Sequence, residues 1–144
     1  MSEAENRAVN SIIRTHEVQV RWSDFDRYGH MMNANYIEIA QEARLLFAKD
    51  TFYSKGIEFA SFVRHLAVDF RAPITGVDIV ALRVETEIVE MGNTSFTTRQ
   101  RIFDQHGKVS CVVDCVQVVV DQRTSQPRPI ADAERAILLE GHAN

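Results

Sequence analysis

VRWSDFDRYGHMMNANYIEIAQEARLLF, residues 20–47, changes its hydrophobic period at one point, and that change decides the architecture. Upstream, EVQVRWS (17–23) alternates. Val18, Val20 and Trp22 fall on one side and Glu17, Gln19 and Arg21 on the other, the period-two pattern of a half-buried strand. Downstream, NYIEIAQEARLLFAKD (35–50) places Tyr36, Ile39, Ala40, Ala43, Leu46 and Phe47 at i, i+3, i+4, i+7, i+10 and i+11, the stripe of an amphipathic helix of about four turns. Asn33 or Asn35 can serve as its N-cap, and Asn35 with Glu38 fits a capping box. Between strand and helix lies DFDRYGH (24–30), with two carboxylates, a glycine and a histidine that packing alone does not ask for.

Length and composition bound what this junction can belong to. With 144 residues and 45% hydrophobic content, the chain is expected to form one domain over 1–144, its first 14 or so residues and its last few being peripheral. A formal charge of -4 provides no basic field for a nucleic-acid backbone. The start, MSEAENRAVNSIIRT, lacks the apolar core of a signal peptide, and no later segment approaches the roughly 18 apolar residues of a membrane span. A cytoplasmic protein is expected. Cys111 and Cys115, four apart in a strand-like run, lie about 13 Å apart at roughly 3.3 Å per residue, too far to bridge. Neither has His or carboxylate company at ligand spacing, so they read as small buried hydrophobes and no metal is expected.

The remainder reads as strands. FVRHLAVDF (62–70) alternates through Leu66, Val68 and Phe70 and stops at Ala72-Pro73 and Gly76. In DIVALRVETEIVE (78–90), Val80, Leu82, Val84 and Ile88 share a face, and Gly92-Asn93 marks the next turn. TSFTTRQRIFD (94–104) and KVSCVVDCVQVVVD (108–121) follow, joined at His106-Gly107; the second is apolar on both faces, like a strand central to its sheet. After the loop RTSQPRPI comes a short helix, ADAERAILLE (131–140). The expected order is one strand, one long helix, four strands in antiparallel succession and a terminal helix. One helix cannot cover both faces of a five-stranded sheet, so an edge and a face are expected to be hidden by association with another copy.

A helix N-terminus carries unpaired backbone N–H groups and a partial positive charge, so it can receive a developing oxyanion. A carboxylate held by a turn just upstream faces the same point. Nucleophile or base plus electrophilic stabiliser are the two parts that acyl transfer to water needs, and they suggest thioester or ester hydrolysis without a Ser-His-Asp triad.

The segment resembles the signature of hot-dog-fold acyl-CoA thioesterases of the 4-hydroxybenzoyl-CoA thioesterase type. The resemblance is carried by the D-x-D pair Asp24 and Asp26, by Gly29, His30, Asn33, Asn35 and Tyr36, and by Glu42, Ala43 and Arg44. It continues through DFRAPI, the strands around GNTSF, and VVVD with RPI, covering roughly residues 15 to 131. It implies an α+β hot-dog fold, a five-stranded antiparallel sheet wrapped around one long central helix. It also implies Asp26 as the catalytic carboxylate and the backbone N–H at about Asn33 as the group polarising the thioester carbonyl; some relatives carry a histidine at that position. Substrate is expected to be a thioester of CoA or of acyl carrier protein, with no cofactor beyond the coenzyme A of the substrate, in a homodimer or homotetramer.

Asp24 is expected to be structural, bonding turn amides, and Gly29 to supply a backbone conformation that other residues resist. His30 divides between a hydrogen bond across the turn and a place beside the thioester. Tyr36 and His65 are candidate substrate contacts, although a partly buried, satisfied histidine is the plainer reading of His65. Arg99, Arg101 and Arg128 could meet CoA phosphates; exposed arginines are more commonly solvated surface. Two alternatives are a hot-dog hydratase or dehydratase, which calls for D-x4-H where Asp26 and His30 give D-x3-H, and a non-catalytic acyl-CoA-binding module.

Overall fold

A computed structural model describes residues 6–76 and 78–142. Strand β1 is a two-residue piece, Arg7–Ala8, and β2 is Arg14–Gln19; the long helix α1 runs Asn33–Thr51. Then come β3 (Ala60–Phe70), β4 (Ala81–Met91), β5 (Ser95–Phe103), β6 (Val109–Val120) and α2 (Asp132–Glu140). The five expected strands and both helices are present, and β1 extends the sheet to six strands. The architecture is the hot-dog fold, α+β, with α1 lying against one face of an antiparallel sheet.

Register corrects the expected order. β4, β5 and β6 are neighbours, but β3 pairs with β6 and not with β4, while β2 and β1 both pair with β4. The chain therefore crosses the sheet between β3 and β4, and residues 71–76 and 78–80 belong to that crossover. β3 becomes one edge and β6 lies between two partners, as its two apolar faces require.

The first strand also ends earlier than alternation predicts. Arg21 N–H donates to Asp24 Oδ2 at 2.7 Å, and Trp22–Asp24 close into a short 3-10 turn. Trp22, expected on the buried side with Val18, is instead 93% exposed. Val80, expected on the buried face of its strand, precedes β4 and is exposed as well.

The interior has two apolar clusters. One joins Val18, Tyr36, Ile39, Ala43, Val84 and Val113 near the start of α1; the other joins Phe47, Phe52, Phe59, Phe96, Val119 and Leu138 near its end. Between them sit buried polar side chains, Arg44, Thr86, Thr98 and Gln100. Among the described residues no helix is long and apolar enough to cross a membrane.

Candidate active site at the mouth of the long helix

The DFDRYGH turn folds back on itself. Phe25 bridges Met31, Asp26 N–H donates to the His30 carbonyl at 2.8 Å, and Met32 N–H donates to the Asp24 carbonyl at 3.0 Å. Gly29 closes the loop with φ +78, the left-handed region that glycine adopts without a Cβ penalty. The crossover then stitches it from outside, with Met31 N–H on the Ile74 carbonyl at 3.0 Å and Gly76 N–H on the Gly29 carbonyl at 3.1 Å. Asp26 is thereby set beside the strand of residues that leads directly into α1.

The two carboxylates have different surroundings. Asp24 is 1% exposed. It accepts from Arg21 N–H at 2.7 Å, from the Arg21 guanidinium at 2.9 Å and from the Asn35 side-chain amide at 2.7 Å. Burial alone pushes its pKa up, but the Arg21 N–H, the guanidinium and Asn35 outweigh that and hold the carboxyl below the usual range. Asp24 is a clamp between the end of β2 and the first turn of α1. It does not bond the amides of the turn ahead of it, as the sequence suggests; Asp26 does that.

Asp26 is exposed, and its Oδ1 accepts from Tyr28 N–H at 2.8 Å and His30 N–H at 3.0 Å. The His30 amide, followed by the Tyr28 amide, holds this carboxyl below the ordinary range, so it is ionised at neutral pH. With Oδ1 anchored, Oδ2 accepts no hydrogen bond from any described residue and is the oxygen available to a substrate or water.

The helix mouth is open. Its N-cap is Met32, not an asparagine, with no side-chain cap and no acidic residue in the first turn. Asn35, one of the expected caps, gives its amide to Asp24 instead. Asn35 N–H donates to the Met32 carbonyl at 3.0 Å, while the N–H groups of Asn33 and Ala34 have no acceptor among the described residues.

Trp22, Phe25, Asp26, Arg27, Gly29 and Ile79 line a cleft of about 600 Å3. A larger groove, about 900 Å3, runs between β2 and α1 past Arg21, Asp24, Glu38 and Leu45. Arg21 there bonds both Asp24 and Glu38, at 2.9 and 2.5 Å, while Glu42 on the same wall is bonded to no described residue. The smaller cleft is the one whose carboxylate is held by backbone amides through one oxygen and free at the other.

His30 contributes its backbone to Asp26, and its exposed ring adjoins the turn. Tyr36 is buried, its hydroxyl accepting from Ile74 N–H at 2.9 Å, and burial raises its pKa. It fastens α1 to the crossover and does not line the cleft. His65 stands exposed on β3, opposite Val116 and on the sheet face turned away from α1, rather than partly buried. Arg99 makes a two-pronged pair with Asp114, both bonds 2.9 Å, and Arg101 bonds Glu87 at 2.5 Å. Arg128 pairs with Glu134 near α2, both bonds 2.8 Å. The structure ties His30 to Asp26 through its backbone N–H and places Asn33 at the first position of α1, and of the expected site residues Asp26 alone lines the cleft. Arg21 is the participant that periodicity missed; its i, i+3 spacing to Asp24 was the available signal.

The family model of the thioesterase-like superfamily matches residues 20–138. Solved structures of similar fold include a predicted thioesterase from Bacillus stearothermophilus, 25% identical with TM-score 0.75 over 88% of this chain and 94% of that one. Slr0204, a 1,4-dihydroxy-2-naphthoyl-CoA thioesterase from Synechocystis, is 18% identical with TM-score 0.70, over 88% and 95%. A thioesterase from Thermus thermophilus, solved with coenzyme A and Zn, is 23% identical with TM-score 0.71, over 86% and 90%. No curated protein matches the chain in sequence.

Proposed function

The chain belongs to the thioesterase-like superfamily and is a thioester hydrolase; within that class we propose that it cleaves an acyl-CoA to free acid and thiol, with Asp26 as the reacting carboxylate. The observation that carries this reading is the free Oδ2 of an ionised, amide-anchored Asp26 beside an uncapped helix mouth. The Asn33 N–H polarises the thioester carbonyl and takes the developing oxyanion. As general base, Oδ2 removes a proton from water as the water oxygen bonds to the carbonyl carbon; the C–S bond then breaks and the thiolate recovers the proton. As nucleophile, Oδ2 itself bonds to that carbon, the thiolate leaves, and water cleaves the resulting anhydride. Coenzyme A enters as part of the substrate, and no separate cofactor takes part. A neighbour solved with coenzyme A supports CoA over a carrier protein as the thiol.

The active unit is a homodimer or homotetramer, formed on the β3 edge in the cytoplasm. Among the described residues β3 pairs with β6 alone, and Phe62 and Val63 on it are 55% and 50% exposed, an apolar edge that a second copy would cover.

Incubating the purified protein with a panel of acyl-CoAs and a thiol reagent tests the reaction, since hydrolysis alone frees the thiol. Substrate-dependent thiol release is expected. Stoichiometric binding of acyl-CoA with no release, or hydration of an enoyl-CoA, would replace hydrolysis with a binding or hydratase role.

A further inference from the structure

α1 does not cover its sheet face evenly. It packs against β2, β4, β5 and β6, and the edge strand β3 is the one it leaves least covered. Val63, Leu66, Val68 and Phe70 of β3 stand on the α1 side, because they pair with Gln117, Cys115, Val113 and Cys111, the last three fully buried beneath the helix. All four are apolar. Leu66 and Val68 are half-buried against the cluster near the start of α1, whereas Val63 and Phe70 are 50% and 47% exposed. An open apolar row of this kind marks a surface that another group covers.

The row begins at the helix mouth and follows the helix. At one end the Phe70 ring meets Tyr36 edge-on, with centroids 5.6 Å apart, and Tyr36 stands about one turn beyond Asn33. At the other end Ser61 of β3 lines a small cavity together with Ala48 of α1, so the strand runs back alongside the helix. From Phe70 to Val63, allowing for the bulge after Val63, the row is about 20 Å long at roughly 3.3 Å per residue. Beyond Val63 the surface turns polar, where the Gln117 amide donates to Ser61 Oγ at 2.9 Å. The Asp26 cleft lies on the opposite side of the mouth, toward β2 and β4, and has Arg27 on its wall.

We infer that Val63, Leu66, Val68 and Phe70 seat the acyl group, and that this group is an unbranched aliphatic chain whose usable length ends at Val63. This rests on the hydrolase reading. The row is straight, apolar and without a side-chain donor or acceptor, so it rewards each CH2 laid along it and offers nothing to a polar substituent. With the thioester carbonyl at Asn33, the chain runs down β3 while the anionic thiol carrier leaves past Arg27 on the other side of the mouth.

The test is the chain-length profile of kcat/KM from butyryl- through octanoyl- and lauroyl- to palmitoyl-CoA, with benzoyl-CoA alongside. For wild type, kcat/KM should rise about two- to four-fold per added CH2, as partial to full burial of that group predicts, and stop rising once the chain passes Val63. Benzoyl-CoA should fall below lauroyl-CoA. Val68→Trp obstructs the row near the mouth and Leu66→Trp farther along, so the rise should stop at a shorter chain in Val68→Trp than in Leu66→Trp, an ordering that a general loss of stability does not produce. Thermal melting supplies a readout independent of turnover: free laurate should raise the wild-type midpoint more than butyrate does, and this difference should shrink in Val68→Trp. Cleavage of butyryl- and benzoyl-CoA with no rise along the series would overturn this inference and leave the hydrolase reading intact. So would a Leu66→Trp variant whose oligomeric size changes in light scattering while its chain-length profile does not, since the row would then belong to a contact between copies. Laurate stabilisation without any thioester cleavage would support the acyl row while removing the hydrolase reading.

Discussion

Asp24 and Asp26 stand two residues apart, yet one half of their turn is built like a core and the other like a surface. On the Asp24 side both carboxylate oxygens are filled by Arg21 and Asn35, and the group is out of reach of water. On the Asp26 side backbone amides hold one oxygen and the other faces a cleft. Both carboxyls are held below the ordinary range, so ionisation alone does not tell a reacting carboxylate from a structural one. What separates them is the unoccupied oxygen. The buried half fixes where the strand ends and α1 begins, and the exposed half is held in place by it.

The largest effect expected from breaking this asymmetry is on turnover at the exposed half. Asp26→Asn keeps the shape but removes the charge and should lower kcat by about 10²–10⁴, with CoA affinity and the melting midpoint nearly unchanged. Activity within a few-fold of wild type in a thiol-release assay would mean that the free oxygen is not the reacting one.

A somewhat smaller effect is expected at Asn33, where backbone and side chain can be told apart. Asn33→Pro removes the N–H at a position where a helix tolerates proline, and loss of an oxyanion donor raises the barrier by about 2.7–4 kcal/mol. Asn33→Ala keeps the N–H and should keep most of the activity. Circular dichroism must accompany the proline variant, because Met32 before it is already extended at ψ 145 and should stay so. Equal losses in folded alanine and proline variants would transfer the role to the side-chain amide.

How much of this contrast could be read from the chain follows from the range of each interaction. The strand-to-helix switch, the later strands and the need for Gly29 are local, and period and turn chemistry expose them. The end of β2 is local too, but the alternation through Trp22 masks it, because the Asp24-to-Arg21 contact that stops the strand leaves no mark on hydrophobic period. Tyr36 looked available to substrate because its partner, Ile74 N–H, is 38 residues away. Arg99 and Arg101 looked free because Asp114 and Glu87 become their neighbours only through strand register. Arg44 is legible as a charge on the apolar stripe of α1 between Ala40 and Phe47, but its burial against Gln100, 56 residues away, is a property of the assembled core.

The smallest effect on catalysis, and the sharpest on the fold, belongs to the buried half. Asp24→Asn preserves size and one acceptor but removes the charge that receives Arg21 and Asn35. A stability loss of about 1–3 kcal/mol at neutral pH is expected, with specific activity retained in the folded fraction. The pH dependence has a definite sign. Because the folded-state pKa of Asp24 lies below its unfolded value, its contribution is fully present above the ordinary carboxylate pKa of about 3.9 and is lost as pH falls through the folded value. Asparagine does not titrate, so the gap in unfolding free energy between wild type and Asp24→Asn should be constant near neutrality and close progressively in acid. Urea titrations of both proteins at stepped pH measure that gap directly. A gap that stays open below the folded pKa would assign the stabilisation to the shape of the side chain. A variant that melts like wild type but loses turnover as Asp26→Asn does would erase the distinction between the two carboxylates.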